Sequence, residues 1–66
     1  MKNRIKVARA EKRMTQQQLA DAAGVSRQTI NAIESGKFVP STVLALKMAQ
    51  IFSKPVEEIF QLDDED

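Results

Sequence analysis

The sequence predicts an all-α fold of five short helices around one small core, and two observations carry that prediction. Apolar residues recur at helical spacing from about Arg4 to Phe60, and Thr15, Gly24, Ser26, Gly36 and Ser41 stand where helices begin and end. At 66 residues the chain suffices for one domain and not for two, so residues 1–66 read as a single unit. Domains this small bury only about 60% of the surface their unfolded chain exposes and often need a supplement. Cys and His are both absent, which removes disulfides, thiolate and imidazole metal sites and the usual Cys or His catalytic groups. Self-association is the supplement that remains. No apolar run approaches the 18 or so residues of a membrane span, and the N-terminus lacks the apolar stretch of a signal peptide. The expectation is a soluble, cytoplasmic protein without cofactor, metal or small-molecule ligand.

The first helix is expected from Arg4 to Arg13, where Ile5, Val7 and Ala8 lie among charged residues and good helix formers dominate. Met14 and Thr15 interrupt it. Thr15-Gln16-Gln17-Gln18 fits a capping box, so a second helix starts at Gln16, with Leu19, Ala20 and Ala23 on one side and Gly24 as its stop. Val25 offers one apolar side chain, and Ser26 caps a third helix from Arg27 to about Glu34, closed by Gly36. Lys37 to Val39 form a loop. Ser41, after Pro40, caps a fourth helix that runs to about Phe52, with Leu44, Met48 and Phe52 every fourth residue and Leu46, Ala49 and Ile51 widening the apolar face. Pro55 suits the first position of a short fifth helix, with Glu57 and Glu58 in its first turn, although Lys54 is a poor cap before it. Leu19, Ile30, Ile33, Leu44, Met48 and Phe52 are the expected core, and Asp63 to Asp66 reads as a frayed tail.

The net charge of +1 hides a polarity. Met1 to Lys37 holds eight basic residues against three acidic ones, a net of +5, whereas Phe38 to Asp66 carries a net of −4. A basic half facing a polyanion would account for it. On a wheel of about 100° per residue, Gln28, Asn31, Ala32 and Ser35 oppose Ile30 and Ile33 on the third helix, with Arg27 to one side. Solvated faces generally carry Glu and Lys; this one carries amides, a hydroxyl and a small residue. Amides match the edge of adenine, Arg matches guanine, and Ala32 admits close approach or touches a thymine methyl. Arg27, Gln28, Asn31 and Ala32 are therefore the candidate base-reading residues. Gln16 and Gln17, at the positive end of the second helix, and Ser26, Thr29, Ser35, Lys37 and Arg13 around the third are the candidate phosphate contacts.

Thr15-Gln16-Gln17-Gln18-Leu19-Ala20, Gly24-Val25-Ser26-Arg27-Gln28-Thr29-Ile30, Ile33-Glu34-Ser35-Gly36-Lys37 and Pro40-Ser41 occur in an order and spacing that resemble the Xre, or lambda-repressor-like, helix-turn-helix family. The resemblance covers Arg4 to about Phe60. Length and the ending Pro55-Val56-Glu57-Glu58-Ile59-Phe60 look most like small stand-alone dimeric repressors of the cytolysin-repressor type. It implies a five-helix DNA-binding domain, a phosphate contact by Gln16, base reading by Arg27 and Gln28, and a charged pair of Arg9 and Glu34 tying the first helix to the end of the third. Ala32 falls where some members carry another base-reading Gln, so readout shifts toward Asn31. It also implies pairing of the chain ends as short strands, Met1 to Asn3 with about Gln61 to Asp63.

The function expected from all this is a double-stranded DNA-binding transcriptional regulator, a repressor, acting as a homodimer on a palindromic operator. Ile51, Ile59, Phe60 and Leu62 are the candidate dimer contacts, because they exceed what one small core needs. An antitoxin-like protein-binding module that also autoregulates its operon is the alternative. The paired acids Glu57-Glu58 and Asp63-Asp64 have no convergent partner, and no enzyme is expected.

Overall fold

A computed structural model describes residues 1–66. Its elements run in the order β1 (Lys2–Asn3), α1 (Ile5–Lys12), α2 (Gln16–Ala23), α3 (Arg27–Glu34), α4 (Thr42–Phe52), α5 (Val56–Ile59) and β2 (Phe60–Gln61). The five expected helices are all present, and the two short strands pair antiparallel, Lys2 with Gln61 and Asn3 with Phe60. This pairing lies within one chain and joins its two ends. It is one residue nearer the helix than expected, because the chain passes from α5 into β2 with no intervening loop.

Local chemistry explains most boundaries. The Thr15 hydroxyl accepts from the Gln18 amide at 3.0 Å while the Gln18 side chain accepts from the Thr15 amide at 2.8 Å, a complete capping box. Ser26 and Ser41 accept from the amides of Thr29 and Leu44, both at 3.1 Å. Gly24, at φ 75°, ends α2 in the left-handed conformation that costs glycine nothing. Two helices stop the same way without glycine: Arg13 (φ 55°) ends α1 and Ser53 (φ 54°) ends α4. α1 accordingly closes at Lys12, and Pro55 is the cap of α5 rather than its first residue.

The core is assembled from every helix. Ile5 and Ala8 come from α1, Leu19, Ala20 and Ala23 from α2, Ile30 and Ile33 from α3, Leu44, Met48 and Phe52 from α4, Ile59 from α5 and Phe60 from β2. Each large side chain buried here contributes roughly 1.5–3 kcal/mol. Two expectations are corrected by this packing. Ile59 is fully buried and belongs to the protomer's own core, so it is no free contact residue, while Phe60, 9% exposed, packs into that core and also lines an apolar surface hollow. The tail is not loose either: Asp63 and Asp66 hold the N-terminal amine of Met1 at 3.0 and 3.1 Å. No helix is long and apolar enough to cross a membrane.

Candidate nucleic-acid interface

α3 is held from behind and bare in front. Ile30 and Ile33 are buried, α2 packs along it, and its end is tied down from two further directions. Asn3 Nδ2 donates to the Ile33 carbonyl at 2.8 Å, and Arg9 clasps Glu34 through Nε to Oε2 at 2.7 Å and Nη2 to Oε1 at 3.1 Å. A third Arg9 nitrogen donates to the Met14 carbonyl at 2.8 Å. Arg9 therefore serves the scaffold. Asn3 escaped the sequence reading, since nothing local in Asn3-Arg4-Ile5 announces a bond to a residue thirty positions away.

On the outward side, Arg27, Gln28, Asn31 and Ser35 are exposed, while Ala32 is half-buried at the flank. Gln16 Nε2 lies 3.4 Å from Asn31 Oδ1, a long bond that joins the start of α2 to the middle of α3. Gln16 thereby leaves the Asn31 amide nitrogen as a donor facing outward. Gln28 and Arg27 have no side-chain partner within the chain, so their donors and acceptors are free for a ligand.

The flanking groups divide by what their hydrogens already do. The Thr15 cap satisfies the Gln18 amide and leaves those of Gln16 and Gln17 pointing out of the helix, where the helix dipole favours an anion. The Gln17 side chain donates to Asp21 at 2.9 Å. Ser26 and Thr29 hydroxyls lie 3.0 Å apart; that bond uses one hydroxyl hydrogen and frees the other. The Ser35 hydroxyl donates back to the Ala32 carbonyl at 3.1 Å, so it must rotate to meet a phosphate. Arg13 and Lys37 are exposed and enter no ion pair.

Each acid of the basic half has a local partner, whereas Arg13, Arg27 and Lys37 enter no ion pair. Glu34 is held by Arg9, Glu11 by Lys54 at 3.4 Å, and Asp21 by Gln17. Arg27, Lys37, Arg13 and two helix starts give this side of the chain a basic character, against which Asp21 is the one acid without a cationic partner. No group of three or more acidic, His or Cys side chains is placed to hold a metal ion.

Comparison with known proteins gives this geometry a family. The helix-turn-helix family model matches residues 5–59. An uncharacterized HTH-type transcriptional regulator of Methanocaldococcus jannaschii is 50% identical over 66 residues, covering 100% of both chains. One of Bacillus subtilis is 46% identical over 65 residues, 98% of each chain. One of Archaeoglobus fulgidus is 47% identical over 66 residues, all of this chain and 93% of its own. With an outward amide-and-arginine face on a helix anchored from behind, and with a family match over nearly its full length, the chain belongs to the helix-turn-helix family of DNA-binding transcriptional regulators.

Proposed function

We propose that the chain is a sequence-specific double-stranded DNA-binding repressor that seats α3 in the major groove and acts as a homodimer on a palindromic operator. The observation that carries this reading is the outward face of α3. It presents Arg27, Gln28 and Asn31 exposed, with Glu34, the one acid of α3, turned to Arg9, on a helix whose orientation is over-determined by Ile30, Ile33, Asn3 and Arg9. Arg27 and Gln28 read base edges, Asn31 adds its free amide nitrogen, and Ala32 lets the backbone of α3 come close. Gln16, Gln17, Ser26, Thr29, Ser35, Lys37 and Arg13 bind the phosphates on either side and set the register. Two half-sites about one helical turn apart, roughly 34 Å, require two copies. Repression is the favoured mode because a domain seated on its operator excludes other proteins from that DNA by occupancy alone. Such a regulator works beside the chromosome, in the cytoplasm.

Selection of bound sites from a random DNA pool tests the whole reading, with enrichment of a palindrome as the expected result. Within the enriched site, Gln28→Ala is expected to weaken binding by about 1–3 kcal/mol and to relax preference at one base pair. Lys37→Ala weakens operator and random DNA alike and lowers the salt slope by about 1. An equal loss on operator and random DNA for Gln28→Ala overturns the base-reading assignment.

A further inference from the structure

The two exposed amides of α3 differ in what they have left to offer. Gln28 bonds no other side chain, so its carbonyl and its NH2 are both free, the pair of groups that matches adenine N6 and N7 together. Asn31, three residues on, is exposed as well, but its Oδ1 accepts from Gln16 Nε2 at 3.4 Å. The oxygen and nitrogen of one amide point apart, so an oxygen turned toward α2 leaves the nitrogen as the group that faces outward. Three features hold this arrangement. Gln16 is the half-buried first residue of α2, set by the Thr15 capping box, which limits the positions its amide can reach. Asn31 has only two side-chain torsions and stands on a helix fixed by Ile30, Ile33 and the bonds of Asn3 and Arg9. Gln16 Nε2 carries two hydrogens, one for Asn31 and one for an anion at the start of α2. A phosphate seated there therefore favours the Gln16 nitrogen, not its oxygen, on the side of Asn31. The bond contributes little in water and more once the duplex has displaced that water.

We infer that Asn31 reads its base as a hydrogen-bond donor only, and that Gln16 is the positioning residue that sets this polarity. The inference deepens the DNA reading proposed above and rests on it. A donor-only side chain matches the major-groove acceptors guanine N7 and O6, thymine O4 and adenine N7, whereas cytosine offers only its N4 hydrogens there. On the strand that Asn31 faces, cytosine is refused. Adenine loses the two-bond advantage that a free amide would give it. The rule that amides match adenine thus holds for Gln28 and fails for Asn31, although both stand on one side of one helix.

Binding to the selected operator, with each of the four bases placed in turn at every position, tests this in the intact chain and three variants. Asn31→Ala locates the base that Asn31 reads, as the position where preference is lost. There the intact chain is expected to favour guanine or thymine and to disfavour cytosine several-fold. Gln16→Glu keeps the side-chain length and offers acceptors without a donor, and a carboxylate in the first turn suits the helix dipole, so α2 is retained. Asn31 must then turn its nitrogen toward position 16 and its oxygen outward. Preference is expected to invert toward cytosine or adenine, whose amino hydrogens that oxygen meets. Gln16→Ala frees the Asn31 amide, and adenine is expected to gain several-fold over guanine and thymine. Both Gln16 variants also lose affinity for every sequence, since a phosphate contact goes with the side chain, but the ratio between bases does not register a uniform loss. Cytosine favoured by the intact chain, or base ratios unchanged in Asn31→Ala, overturns the inference. Ratios unchanged in both Gln16 variants overturn it too, because Gln16 is then a phosphate contact and nothing more. A chain that selects no sequence from a random pool sinks the DNA reading and this one with it, whereas a selected operator with any of those three outcomes sinks this one alone.

Discussion

Arg9 spends all of its outward chemistry on the fold. One guanidinium joins α1 to the α1–α2 turn and to the end of α3, with two bonds to Glu34 and one to the Met14 carbonyl. The pair is only 15% and 9% exposed, which places it between the two extremes of ion-pair energetics. Exposed pairs contribute about 0–1 kcal/mol, and breaking a fully buried one costs about 3–5 kcal/mol. Glu34→Ala leaves the guanidinium one bond in a half-dry site and is expected to cost about 2–3 kcal/mol, a fall in Tm of about 10–20 °C by thermal circular dichroism. Glu11→Ala, which removes an exposed partner of Lys54, is expected to change stability by less than about 0.5 kcal/mol. An equal effect of the two would show that the Arg9 clasp carries no special weight. At this scale the sequence was informative only through the resemblance, because no local spacing links residues 9 and 34. The outward set Arg27, Gln28 and Asn31 was legible without it, since a wheel of eight residues needs only the two isoleucines to orient it.

The starts of the elements were easier to foresee than their ends. Thr15, Ser26 and Ser41 announce helix starts because each bond runs from a side chain to an amide three residues on, within reach of a local reading. Gly24 and Gly36 announce stops for an equally local reason, their freedom at positive φ. Arg13 and Ser53 take the same left-handed turn without that freedom, so nothing in composition marks them. Ser53 therefore stores strain that glycine would release, less the entropy glycine loses on folding. Ser53→Gly is expected to stabilise the domain by about 0.5–1 kcal/mol, or about 3–6 °C in Tm, as measured by denaturant unfolding. A loss of stability would mean that the Ser53 side chain makes a contact worth more than the strain. The C-terminal elements were the least legible. A four-residue helix and a two-residue strand are too short to show a period, so whether Ile59 and Phe60 face inward depends on where the chain returns to α1. The same non-local fact hid the exposure of Leu46, which was expected to widen the apolar face of α4 and is 52% exposed.

The molecule as a whole is closed by its two ends, and that closure is sensitive to pH. The Met1 amine bonds Asp63 and Asp66, and these bonds, Asp63 first, raise its pKa above the ordinary 8.0. Asp66 is lowered from 3.8, chiefly by the Asp63 backbone amide and next by the Met1 amine. A raised amine contributes stability that is complete below its unfolded value and lost as pH rises through the folded one. A lowered carboxyl contributes stability that is complete above its unfolded value and lost as pH falls through the folded one. The clamp is therefore whole between about pH 4 and 8. Neither His nor Cys is present to titrate inside that window. Tm is expected to be flat between those limits and to fall as pH rises through the raised range of the Met1 amine. Acetylating the Met1 amine removes the group that titrates, so the acetylated chain should melt lower at neutral pH and show little further fall on the alkaline side. If free and acetylated chains lose the same Tm between neutral and alkaline pH, the ends are held by the Lys2–Gln61 and Asn3–Phe60 strand pairing alone, and the charges merely accompany it.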